Sequence, residues 1–307
     1  MAGLILFLNT QAQQDPQFSQ YMFNKMSFNP GFAGNSGGIC INGAVRQQWV
    51  GFEDPEGNSV APETFLLTAD APFAVLRGGL SAVIMQDKIG FWKDISLRLG
   101  YAYRTTVGRG NLGIGTQIAF INRSVDFSKF ITVQDDPLLS ELSAEETDML
   151  FDFSLGVYYE VPETYYLGIS AMDVLQSAGK DLSGKGLKYT VDRALYFTGG
   201  YNFPIPNNPS FEIKPSFLVK VGQASSQYDI STLIEYNDKF WGGLSYRMEE
   251  SIVVIVGMLW RDFRIGYSYD IVTTGYGLGG THEITAGYCF KLKLDKFRKI
   301  YRNTRFL

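Results

Sequence analysis

A single histidine, His282, and two cysteines, Cys40 and Cys289, are all that 307 residues offer of the side chains most used in catalysis and metal binding. A serine–histidine–carboxylate hydrolase would have one candidate base and no marked serine, and two Cys with one His cannot close a zinc site without carboxylates. No catalytic residue, cofactor or metal is therefore expected, and His282 reads as a structural or surface residue, with a general base as the competing reading. Charge is scarce as well, at 19% against about 25% in soluble domains. The net charge of −4 makes nucleic acid a poor partner. Missing too is any run of 18 apolar residues, the longest being Ile252 to Trp260, so a helical membrane span is excluded. A β-barrel crossing is not, because it needs only about 10 alternating residues.

What the sequence does have is aromatic residues, 15% of the total, and 33 glycines, a mixture suited to twisted strands and tight turns. From Ile284 to Leu294 every second residue is apolar or small, and Phe263 to Val272 repeats the pattern. A period of two marks a strand with one oily and one wet face. Fourteen such segments can be counted. They run from Gly38–Val50 and Glu63–Phe73 through Met149–Val161, Tyr165–Val174 and Tyr189–Phe203 to the closing strand. Connections after even segments are mostly short, and the long ones, Ser124–Asp148 and Leu175–Lys188, follow odd segments. Short turns on one side and long loops on the other describe an all-β, transmembrane antiparallel β-barrel with periplasmic turns and extracellular loops. A soluble barrel would leave an apolar belt far above the few hundred Å² that a monomer tolerates in water. Two ionised residues, Asp173 and Arg193, read as outward exceptions beside a long loop, and Ile252–Trp260 is apolar on both faces, so its sides are unassigned.

Four regions follow. Residues 1–13 read as a secretory signal lacking its basic start, with a buried first strand as the alternative. Residues 14–37, rich in Phe, Tyr and Met, form a periplasmic or plug segment; residues 38–294 form the barrel; residues 295–307 form a basic periplasmic tail, either simply solvated or in contact with an acidic partner. The inward set mixes signs, including Arg46, Arg98, Asp152, Asp229, Asp270 and Glu283. A ladder of paired charges is one reading of that set and a conducting path the other. Cys40 and Cys289 fall on the wet faces of the first and last strands, which closure makes neighbours. A cross-strand disulfide is then one reading; two free thiols is preferred while the register is unset.

Three stretches together resemble the PorP/SprF family, outer-membrane proteins of the Bacteroidetes type IX secretion system. They are Gln17-Phe-Ser-Gln-Tyr-Met-Phe-Asn running to Asn29-Pro30-Gly31-Phe32-Ala33-Gly34; Arg46-Gln47-Gln48-Trp49-Val50-Gly51-Phe52 followed by Ala61-Pro62-Glu63-Thr64; and Gly280-Thr281-His282-Glu283-Ile284. The family usually has Asn-Pro-Ala and Gly-Ser-His-Glu at the first and last of these. The resemblance implies a non-enzymatic barrel in outer-membrane lipid. Such a barrel supports export or surface anchoring of large adhesins through their C-terminal domain, with a periplasmic peptidoglycan-binding or secretion-machinery protein as partner. On that view the long loops hold the cargo domain, and the N-terminal segment and basic tail face the periplasm. The alternative function is a small-solute porin.

Overall fold

The computed structural model describes residues 16–54, 57, 59–126, 145–179, 190–223, 225–274 and 279–291. The leader read over residues 1–13, the middle of both long loops and the basic tail lie outside the described residues.

Among the described residues fourteen antiparallel strands close into one barrel. They are β1 Gly38–Gln47, β2 Glu63–Phe73, β3 Gly78–Ile89, β4 Trp92–Val107, β5 Gly110–Asp126, β6 Glu145–Val161 and β7 Tyr165–Met172, then β8 Ala194–Tyr201, β9 Phe211–Val221, β10 Ser226–Tyr236, β11 Phe240–Arg247, β12 Ser251–Trp260, β13 Phe263–Val272 and β14 Thr281–Lys291. Two residues, Phe203–Pro204, continue β8 along the edge of β9. Each strand pairs with its neighbours in sequence, and β14 returns to β1, from Gly38 opposite Lys291 to Gln47 opposite His282. Closure leaves no strand edge unpaired, which is what allows a sheet to sit in hydrocarbon.

The alternation sorts as expected. Ile39, Ile41 and Val45 of β1, Leu97 and Leu99 of β4, and Phe151 and Leu155 of β6 all point outward. Their sequence neighbours Arg46, Ser96, Arg98, Asp152 and Ser154 are buried on the inner side. Each such apolar side chain gains about 1.5–3 kcal/mol on leaving water, so the belt is stable only against lipid. At the short-turn rim the belt ends in aromatic pairs such as Tyr201–Phe203, with ring centroids 4.2 Å apart, Phe211–Tyr236 at 4.7 Å and Phe263–Tyr288 at 4.6 Å. Aromatic girdles of this kind sit at membrane–water boundaries.

Several boundaries differ from the sequence reading. β1 stops at Gln47, because Trp49 takes a left-handed φ of 52° and leaves the ladder. β8 begins at Ala194 rather than Tyr189, since Val191 folds inward to pack on Ala119, Ile121 and Leu150. β7 ends at Met172, and Asp173, at φ 52°, turns its carboxylate away from lipid to pair with Arg98 at 3.0 Å. The outward position read for Asp173 is thus corrected by one left-handed residue. β5 and β6 are 17 residues each, roughly 55 Å along the strand. That exceeds a hydrocarbon band of about 25 Å even when tilted, so their hairpin rises beyond the long-loop end. For β12 the structure assigns both faces: Val253 and Ile255 are fully buried inward, and Ile252, Val254 and Val256 face out.

Candidate functional site

Residues 16–37 occupy the lumen. The segment has little structure of its own, three single 3-10 turns at Tyr21–Phe23, Lys25–Ser27 and Pro30–Phe32. It runs the height of the barrel. Pro16 lies at the long-loop end, lining a cavity with Ile89, Trp92 and Asp94. Gly34 lies at the short-turn end against the start of β3, where a Cβ would meet the Gly79 Cα at 2.6 Å. Phe18, Met26 and Ala33 bury themselves on Ala44, Leu66, Val83 and Ala102, while Tyr21 and Phe28 do so on Met172, Tyr196 and Leu218. Phe23 packs on Trp241 with ring centroids 5.2 Å apart, and this apolar flank is why β12 carries Val253 and Ile255 inward. Of the two readings of this segment, periplasmic or plug, the packing of its aromatic faces on these wall residues is that of a plug.

The outer half of the segment is held by charge. Both Glu283 carboxylate oxygens accept main-chain N–H groups, from Ser19 at 2.7 Å and Gln20 at 2.9 Å. The Ser19 hydroxyl donates to Asp270 at 2.7 Å and accepts from Arg46 at 2.7 Å. Arg46 also pairs with Asp270 at 2.9 Å and Glu283 at 3.2 Å, and Arg247 pairs with Asp229 at 2.8 Å, Glu250 at 3.1 Å and Asp270 at 3.5 Å. Gln17 donates its side-chain amide to Asp229. In this ring two guanidiniums face four carboxylates, and the excess acceptors are met by donors from residues 17–20. Buried charges left partly unpaired cost several kcal/mol, so the segment completes an arrangement the wall alone does not satisfy.

The inner half is held by close approach. A Cβ built on Gly113, Gly115 or Gly156 would meet Gly31 O, Pro30 O or the Asn29 side chain at 2.2–2.3 Å, so the turn lies directly on a lane of β5 and β6 that carries no side chains. Asn29 caps its own turn by accepting from Gly31 N–H at 2.9 Å and donates to Val157 O at 3.1 Å. Pro30 opens that turn, where its fixed φ suits and its lost N–H does not matter. Gly34 has a φ of 71°, where a side chain would be strained, and its N–H donates to Asp70 at 3.2 Å. Lys25 sits over the ring of Tyr166, 3.5 Å from the centroid, and donates to the Tyr158 hydroxyl at 3.1 Å.

The singled-out residues divide between the two faces of the seam. Arg46 and Glu283 are register partners and point inward, whereas Gln47 and His282, the next pair, point the other way. His282 rests between Tyr267 and Tyr269 on the outer face, its Nδ1 2.8 Å from the Tyr267 hydroxyl, away from the carboxylates of the lumen. Gln48 donates its N–H to Pro62 O at 2.9 Å, and the N–H groups of Trp49 and Val50 bond Thr281 and Gly280, stitching the loop above the seam. Cys40 and Cys289 are register partners and are joined by a disulfide. Periodicity alone could not set that register. Arg247 and Asp94 escaped the sequence reading. Arg247 continues the inward phase of Trp241, Gly243 and Ser245, a signal lost because it ends its strand. Asp94, which pairs with Arg123, lies just before the segment read as Ile95–Val107.

A lipid-facing closed barrel with its lumen filled by its own N-terminal segment is an outer-membrane protein of the plugged-barrel kind. The model of the type IX secretion system membrane protein PorP/SprF matches residues 10–288, and this chain belongs to that family. It is a family of secretion-system membrane proteins, not of enzymes. No curated protein matches the sequence. Among solved structures, the chain is similar to the KdgM porin (10% identity, 82% of this chain and 99% of that one, TM-score 0.40). It is also similar to Acinetobacter baumannii Omp33 (9%, 82% and 98%, 0.46) and to the Pseudomonas putida toluene transporter TodX (12%, 91% and 95%, 0.46). At these values no property of those proteins carries over to this one.

Proposed function

We propose that this barrel supports export or surface anchoring of large secreted adhesins through their C-terminal domain. The cargo is met at the long-loop face, and a periplasmic peptidoglycan-binding or secretion-machinery protein is met at the short-turn end through the basic tail. The observation that supports this reading over a small-solute porin is the filled lumen. Residues 16–37 run from the long-loop end to the short-turn end and bury their apolar side chains on both sides of the wall, with a cavity of about 250 Å³ beside Pro16. Family membership supplies the secretion context. Purification of the tagged barrel from outer membrane, with identification of co-purifying proteins, tests the proposal. A large surface protein retained through its C-terminal domain, and lost from the cell surface when the barrel gene is deleted, is the expected result. Unchanged surface display in the deletion strain would overturn it.

A further inference from the structure

The seat of residues 16–37 has the properties of a peptide-binding site more than of a fused core. Much of its recognition is aimed at main chain, which any polypeptide carries. Glu283 accepts two N–H groups, Asp70 accepts from Gly34, Ser170 donates to Phe28 O and Arg104 donates to Ala33 O at 3.3 Å. The glycine lane of β5 and β6 lets the Asn29-Pro30-Gly31 turn lie directly on the wall. Aromatic side chains enter separate subsites, Phe23 on Trp241 and Phe28 on Tyr196. The fit is also incomplete. Both polar atoms of Gln117, 1% exposed, and the hydroxyls of Ser81 and Ser96 are buried on the inner wall with no hydrogen-bond partner among the described residues. Buried polar groups are nearly always satisfied in a finished core. Ser96 lines the cavity of about 250 Å³ that begins at Pro16, together with Met85, Trp92 and Ile121. Beside Pro16 the track therefore opens into a space where Met85, Trp92 and Ile121 stand next to the charged Asp94, Arg98 and Arg123.

We propose that the lumen track and this cavity form a binding site for an extended polypeptide, and that residues 16–37 are its built-in, exchangeable occupant. An incoming chain enters at the cavity, where Met85, Trp92 and Ile121 take apolar side-chain surface and Ser96 and the charged groups beside it meet polar main-chain groups. It then displaces the segment along the glycine lane, provided its own residues are small there. This names where a secreted chain is held and so rests on the proposed export role. The probe in its test is this protein's own sequence, so failure here leaves the export experiment unaffected.

The test uses the full-length barrel in detergent and a fluorescent synthetic peptide of residues 16–37. Gly31→Leu in the barrel lifts the tethered segment while leaving the wall intact, because any Cβ there meets Gly113 O, Gly156 O and Tyr158 N at 2.9 Å. The peptide should bind the Gly31→Leu barrel at least tenfold more tightly than the unaltered one, and a peptide carrying the same Gly31→Leu change should bind neither. A folded Gly31→Leu barrel with less than a tenfold gain overturns the proposal. Should that variant not fold, Met26→Cys in an otherwise unaltered chain decides. Cys40 and Cys289 are bonded to each other, so only residue 26, 2% exposed, can react with a maleimide. Labelling of the native barrel within hours supports exchange, and no labelling over a day without denaturant overturns it.

Discussion

Two adjacent residues, His282 and Glu283, show how one strand position separates roles. Glu283 is fully buried, pairs with Arg46 and accepts two N–H groups from the lumen segment, whereas His282 sits among tyrosines on the outer face. Glu283→Ala leaves Arg46 with Asp270 as its remaining carboxylate and takes the acceptor from the Ser19 and Gln20 N–H groups, a loss of about 1–3 kcal/mol for buried donors left unsatisfied. Its apparent melting temperature, read from heat-modifiable gel mobility, should fall clearly. His282→Ala removes one interfacial hydrogen bond and should cost about 1 kcal/mol or less. Alternation already placed the two side chains on opposite faces. What sequence could not show was their partners, since Ser19 is 264 positions from Glu283 and nothing local encodes that contact.

Among the elements, the first and last strands and the lumen segment form one closing device. The disulfide between Cys40 and Cys289 joins β1 to β14 across nearly the whole chain. Replacing both cysteines with serine should lower barrel stability by about 2–4 kcal/mol, and the unaltered barrel should lose the same amount in reductant. The lumen segment is anchored at its middle by Lys25, which sits over Tyr166 and donates to Tyr158, and Lys25→Met should lower amide protection of residues 21–28 in hydrogen exchange.

At the scale of the whole molecule, the barrel was legible because lipid on one side and polar lumen on the other write themselves into every second residue. Strand ends were less so. Asp173 and Trp49 leave their ladders through single left-handed residues, and β5 and β6 extend beyond the apolar band where alternation no longer matters. The site was legible only in pieces. The motif from Asn29 to Gly34, the inward Arg46 and the inward Glu283 were each visible, but their convergence on one enclosed segment depends on closure of the sheet. Residues 16–37 fill this lumen, so the full-length protein in a planar bilayer should carry no steady ion current, and a sustained ohmic current through it would show the lumen to be open.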